Sequence, residues 1–176
     1  MPECEDDNKT TNSEHLLKEF SCCVIDASIV WCAAGEERQT EEQQKCSDLL
    51  ALLHERSYKK PRILVYAPPI FFTEVKGASK RGHRPPLKFI INYSPDKPKW
   101  GDVEKNHGDC KEAERLKQKK DWDYVVVALA KREEAGAKVA LLTTDSHFYE
   151  VKDKLRQKGI EVINPAGAWE PCKRRW

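Results

Sequence analysis

A chain of 176 residues is long enough for one domain with a sizeable core, and a charged fraction of 34% argues against a membrane-embedded protein. The net charge of +2 excludes a molecule-wide field that would select a polyanionic partner, so nucleic-acid binding must depend on local clusters. The seven cysteines include no CxxC pair, which argues against a disulfide framework or a zinc ribbon and favours a reducing, cytoplasmic compartment.

The first half of the chain alternates strands with helices. An acidic, polar segment over residues 1–18 is expected to be a flexible lead-in, and the folded domain then extends over residues 19–166. An apolar strand is predicted at 22–25, and leucines at helical spacing predict an amphipathic helix over 41–58. A second apolar strand and an apolar helix that begins after two prolines follow, at residues 63–67 and 70–75.

The second half of the chain continues this alternation and ends in a basic, aromatic tail over residues 167–176. In order, the patterns predict a strand, a charged helix, an apolar helix, a strand, a helix and a strand, at residues 89–93, 109–120, 122–135, 138–142, 147–158 and 160–163. Strands that alternate with helices predict an α/β fold with a mostly parallel sheet of about five strands and helices on both faces.

Four acidic residues are predicted to lie at one edge of this sheet. Asp26 and Asp145 directly follow strands, Asp123 opens the apolar helix, and Glu74 lies in the helix after the second strand. Because the carboxyl ends of parallel strands meet at the same edge, these side chains are expected to share a pocket. Simpler interpretations stay open: Asp26 and Asp145 could cap helices, and Glu74 could be a surface residue.

Carboxylates that share a pocket repel one another and raise one another's pKa unless a cation holds them. Hard oxygen ligands suit Mg²⁺ or Mn²⁺. Such a site can activate water and stabilise the oxygens of a phosphodiester during displacement. The acidic set therefore predicts a metal-dependent phosphodiesterase.

Four segments resemble PIN-domain ribonucleases: VIDASIVW, YAPPIFFTEV, DYVVVALA, and LLTTDSHF with VINP after it, in the family's order. The resemblance implies a three-layer α/β/α sandwich and endonucleolytic RNA cleavage by metal-activated water. It implies that the four acids are both the catalytic residues and the ligands of Mg²⁺ or Mn²⁺. It also implies that Ser28 and Thr144 are the small hydroxyl residues that support these acids.

Two acidic residues, Asp121 and Asp123, lie at the start of the predicted apolar helix, and only one of them is expected in the metal site. Asp121 fits the N-cap position, where its side chain would accept a backbone N–H two or three residues on. Asp123 falls in the first turn, where the helix dipole favours a carboxylate, and it matches the family's position. We therefore expect Asp123 in the metal site and Asp121 as the cap.

Basic residues follow Glu74 closely and predict an RNA-binding surface near the acidic pocket, since phosphate contacts need neutralising charge. His147 could also contact phosphate. The predicted RNA-binding residues in the loop are Lys76, Lys80, Arg81, Arg84 and Lys88.

The segment from Val75 to Lys88 departs from the resemblance, because many PIN domains carry two further helices there. Those helices often build the dimer or antitoxin surface, so a homodimer and an antitoxin-type partner both stay open. Two other functions also stay open: a non-catalytic RNA-binding or scaffold domain on the same fold, and a structure-specific DNA nuclease of the flap kind.

Overall fold

The computed structural model describes residues 13–34, 40–79 and 121–167. Along these ranges the helices and strands follow in the order α1 (Ser13–Leu17), β1 (Cys22–Ile25), α2 (Ala27–Ala33), α3 (Glu41–Tyr58), β2 (Leu64–Tyr66), α4 (Pro69–Ser79), α5 (Trp122–Ala135), β3 (Val139–Leu142), α6 (Ser146–Gln157) and β4 (Ile160–Ile163).

The four strands in these ranges form one parallel sheet in the order β2-β1-β3-β4. Every residue of β1 and β3 is buried, as expected for apolar strands in the middle of a parallel sheet. The predicted α/β class with a parallel sheet is therefore confirmed. The fifth strand predicted at 89–93 and the charged helix predicted at 109–120 lie outside the described residues.

Strand order reverses between β1 and β3. From β1, the chain reaches β2 through α2 and α3 on one side, whereas from β3 it reaches β4 through α6 on the other side. Right-handed crossovers in opposite directions put their helices on opposite faces, which is compatible with a three-layer sandwich. Open α/β sheets bind ligands outside the carboxyl ends of the strands at such a reversal, so this edge is the place to look for a site.

The helix predictions that fall within the described ranges agree with α3, α4, α5 and α6 to within a few residues, and local chemistry explains the ends of α3 and α5. A capping box formed by Thr40 and Gln43 begins α3. Gly136, with φ of 60°, ends α5 in the left-handed conformation that glycine adopts without steric cost. Within the described ranges, no helix is both long enough and apolar enough to cross a membrane.

The end of the expected flexible lead-in is ordered. Residues Ser13–Leu17 form α1, and Leu17 and Phe20 lie in the core at 3% and 8% exposure. Burial of these two apolar side chains anchors a segment that is otherwise polar. The structured domain therefore begins before residue 19.

Candidate metal centre

The carboxylate of Asp26 lies at the reversal point of the sheet and is held by two hydroxyl groups. Ser28 Oγ donates to Asp26 Oδ2 at 2.5 Å, and Thr143 Oγ1 donates to the same oxygen at 2.7 Å. Asp26 occupies the N-cap position of α2 but makes no side-chain capping hydrogen bond. The capping interpretation of Asp26 is therefore wrong, and the side chain is held by Ser28 of α2 and by Thr143, which follows β3.

The resemblance implied that Thr144 supports the acidic residues with its hydroxyl group. The hydroxyl that donates to Asp26, beside that of Ser28, belongs to Thr143. Thr143 Oγ1 also accepts a hydrogen bond from Asp145 N at 3.0 Å, so it connects two of the acidic residues. Thr144 contributes its backbone N–H, which donates to Ser28 Oγ at 2.9 Å. Within the described residues, its buried hydroxyl has no hydrogen-bond partner. Two consecutive threonines follow β3, and only the first, Thr143, directs its hydroxyl group toward Asp26.

Three other side chains meet beside this network, and their ligand-bearing atoms all lie within 4.8 Å of one another: Asp121, Asp145 and His147. His147 Nδ1 is 2.9 Å from Asp145 Oδ1 and 3.5 Å from Asp121 Oδ2. The two aspartate side chains are 11% and 13% exposed, and the imidazole is 39% exposed. The cluster is therefore largely screened from solvent, and His147 Nδ1 is itself buried although part of the ring is exposed.

The start of α6 fixes two members of this cluster. Asp145 is the N-cap residue, and its Oδ1 accepts a hydrogen bond from His147 N at 3.0 Å. The capping interpretation of Asp145 is thus confirmed, yet the same side chain faces His147 and shares the cluster with Asp121. Because His147 is the second residue of the helix, the capping turn brings its ring back over the carboxylate.

Asp121 does not have the role expected from its position. Its backbone is already helical, with φ of −61° and ψ of −26°, and its side chain makes no capping hydrogen bond. The prediction that Asp121 caps α5 is therefore wrong. Its buried side chain joins the half-buried Asp145 and His147 instead, whereas Asp123 is half-buried and is not a member of this cluster.

Glu74 lies apart from the three-residue cluster and is held by an aromatic residue of α5. Tyr124, fully buried, donates its hydroxyl to Glu74 Oε2 at 2.5 Å, and Trp31 Nε1 donates to the Glu74 carbonyl at 3.1 Å. Burial, followed by the charges of Asp26 and Glu74, raises the pKa of Tyr124, so its phenol stays protonated and remains a donor. Tyr124 therefore connects Glu74 to the surroundings of Asp26.

The carboxyl groups of this edge influence one another electrostatically. Asp26 is only 2% exposed, and this burial raises its pKa to about 6, even though the hydroxyls of Ser28 and Thr143 act to lower it. The charges of Asp121 and Asp145 raise it further. Asp26 is thus within electrostatic reach of both aspartates of the cluster, as expected for acids that share one pocket.

The donor set of the cluster fits a divalent metal ion. Adjacent ligands about 2.1 Å from a common octahedral ion lie about 3 Å apart. The distance from His147 Nδ1 to Asp145 Oδ1, 2.9 Å, matches that spacing, and the distance to Asp121 Oδ2, 3.5 Å, is somewhat longer. Two carboxylates and one imidazole are also a ligand combination that divalent metals accept.

The predicted RNA-binding residues fall mostly outside the described ranges. Lys80, Arg81, Arg84 and Lys88 lie outside the described residues. Lys76 is exposed in α4, two residues after Glu74. His147, which we expected to contact phosphate, is a member of the cluster with Asp121 and Asp145.

Comparison with known proteins adds no relative to this description. Neither protein-family profiles, nor curated protein sequences, nor solved structures gave a significant match to this chain.

Proposed function

We propose that this protein is a metal-dependent endoribonuclease with a PIN-like fold, in which a fifth strand extends the parallel sheet. The observation that carries the proposal is the convergence of Asp121, Asp145 and His147 at the reversal point of the sheet, with the buried Asp26 in electrostatic reach. This is where open α/β sheets bind ligands, and the donor set suits a divalent ion. Mg²⁺ and Mn²⁺ are the ions that the resemblance implies.

The residues of the edge have separable tasks in this proposal. Asp121, Asp145 and His147 would hold the ion, which supplies positive charge to phosphodiester oxygens and makes water a better nucleophile. Asp26, oriented by Ser28 and Thr143, would accept a proton, since a carboxyl group with a pKa of about 6 is suited to this near neutral pH. Tyr124 would keep Glu74 at the margin of the pocket.

RNA is the proposed substrate because of the resemblance and the basic segment that follows Glu74. Lys76 is the first residue of that segment and is exposed. A phosphate backbone that approaches the cluster needs such charge nearby. The same features support RNA more than a small phosphate ester, which would not need an extended basic surface.

The test incubates the full chain with end-labelled single-stranded RNA, duplex RNA and flap DNA, each with Mn²⁺ and with EDTA. We expect internal cleavage of RNA that requires Mn²⁺. RNA binding without cleavage would support a non-catalytic RNA-binding domain, and cleavage confined to flap DNA would support a DNA nuclease. Either result would contradict the proposal.

A matched pair of variants on α6 shows whether any cleavage arises at this site. Asp145→Asn keeps the N-cap, because asparagine caps helices as well as aspartate does, but it removes a carboxylate from the cluster. Asp153→Asn makes the same change at an exposed position of the same helix. Cleavage should be lost only in the first variant, and equal activity in both would assign the cleavage elsewhere.

A further inference from the structure

The imidazole of His147 distinguishes this cluster from the all-carboxylate site that the sequence predicts. Its Nδ1 atom lies 2.9 Å from Asp145 Oδ1 and 3.5 Å from Asp121 Oδ2, and thus between the two carboxylates that would hold an ion. The short capping turn Asp145–Ser146–His147 fixes this position. The contact belongs to the helix start and does not depend on a long flexible side chain.

Nitrogen and oxygen donors favour different metals. Carboxylates suit Mg²⁺ and Mn²⁺ alike, whereas imidazole suits first-row transition metals and binds Mg²⁺ poorly. Affinity for a mixed nitrogen and oxygen set also rises along the series from Mn²⁺ toward Cu²⁺. Replacing one carboxylate by an imidazole therefore shifts the preference of a site away from Mg²⁺.

We infer that His147 is a metal ligand and that it makes this centre select a first-row transition metal over Mg²⁺. The inference rests on the metal centre of the proposed function, but it concerns binding and not cleavage. His147 would then have a different task from the phosphate contact expected from the sequence. Asp121 and Asp145 would supply the charge, and His147 would supply the selectivity.

The partial exposure of His147 is consistent with this task. At 39% exposure the ring is reachable from solvent, whereas the two aspartate side chains are 11% and 13% exposed. The Nδ1 atom itself is buried and faces the two carboxylates, so the exposed part of the ring lies away from the ligand atoms. Substitution at this position should also perturb the fold less than substitution at either aspartate.

The experiment measures binding of Co²⁺ and of Mg²⁺ to the EDTA-treated, desalted full chain by calorimetry, without RNA. Co²⁺ represents the transition metals, and its visible absorption reports the ligand set as a second readout. His147→Asn removes the imidazole, and we expect it to lower Co²⁺ affinity by at least about tenfold while Mg²⁺ affinity changes by less than about threefold. His54→Asn, at a histidine on α3 that packs edge-on against Tyr58, is the matched control and should change neither affinity.

A second variant keeps the test decisive if His147→Asn folds poorly. His147→Asp supplies an oxygen ligand near the start of α6, where an acidic residue is favoured, and should retain Mg²⁺ while losing the preference for Co²⁺. Equal loss of both metals, no loss of either, or a wild-type chain that binds neither would overturn the inference. Selective Co²⁺ binding without RNA cleavage would support the inference and contradict only the nuclease. RNA cleavage by the wild type, together with equal losses of Co²⁺ and Mg²⁺ affinity in His147→Asn, would contradict the inference and leave the nuclease standing.

Discussion

Thr143 Oγ1 donates a hydrogen bond to Asp26 Oδ2 at 2.7 Å, which connects the ends of β1 and β3 at the point where strand order reverses. The same hydroxyl accepts from Asp145 N. One side chain thus orients a buried carboxylate and anchors the backbone of the residue that caps α6. The ends of β1 and β3 therefore contribute to a single polar network beside the cluster of Asp121, Asp145 and His147.

Replacing Thr143 and Thr144 in turn with valine should distinguish the roles of their two hydroxyl groups. Thr143→Val keeps the shape but leaves Asp26 with one donor fewer and Asp145 N without its acceptor, so we expect a loss of about 1–3 kcal/mol of unfolding free energy. Thr144→Val removes a buried hydroxyl that lacks a partner among the described residues, and should be neutral or stabilising by up to about 1 kcal/mol. Urea unfolding in EDTA measures both, and similar losses would contradict the network as described.

The pKa of Asp26 should make stability depend on pH in the metal-free protein. Its folded pKa of about 6 lies above its ordinary value of 3.8, so between these values the folded chain holds a proton that the unfolded chain releases. The contribution of Asp26 to stability is therefore fully present below pH 4 and is lost as the pH rises through 6, a change of roughly 3 kcal/mol for this group alone.

Asp26→Asn isolates that contribution, because asparagine keeps an oxygen that accepts from Ser28 and Thr143 but carries no charge. In EDTA the variant should be more stable than wild type by roughly 3 kcal/mol at pH 8, and the difference should vanish near pH 4. Asp153→Asn, on the exposed face of α6, is the control and should show no such dependence. A pH-independent difference between Asp26→Asn and wild type would refute the proposed origin of the shift.

Tyr124→Phe should remove the hydrogen bond that holds the Glu74 carboxylate. The phenol is buried and donates to Glu74 Oε2, so the variant loses a hydrogen bond to a charged group and should be destabilised by about 1.5–3 kcal/mol. Tyr58→Phe removes the hydroxyl of a tyrosine that is 56% exposed and should change little. Thermal unfolding of the two variants beside wild type measures the difference, and equal melting temperatures for all three would argue against the Tyr124–Glu74 contact.

Periodicity and apolar runs were sufficient to predict the parallel sheet and most helices of the described ranges. The buried strands β1 and β3 are continuous apolar runs, and α3 and α5 have a polar start and a clear end. These signals are local, because a strand that is buried on both faces of a sheet must be apolar along its whole length. The order β2-β1-β3-β4 is not local, and the positions of Asp26 and Asp145 at the same edge followed only from the general rule for parallel sheets.

The details of the site depended on side-chain directions, which spacing does not determine. Asp121 and Asp123 lie two residues apart at the start of a helix, and the structure brings the first, whose backbone is already helical, together with Asp145 and His147. Thr143 and Thr144 are adjacent, and only the first donates to Asp26. For His147 a signal did exist, since the second residue after an N-cap aspartate lies close to it, but this spacing also fits a surface histidine.

The most direct test of the proposed centre compares Asp121→Asn with Asp123→Asn in one Mn²⁺-dependent RNA cleavage assay, with the fold of each checked by circular dichroism. Asp121 belongs to the cluster and Asp123 does not. Asp121→Asn should therefore lower the cleavage rate by about 10–100-fold or more, while Asp123→Asn should stay within about threefold of wild type. Loss of cleavage in Asp123→Asn with near-normal activity in Asp121→Asn would contradict the site as assigned.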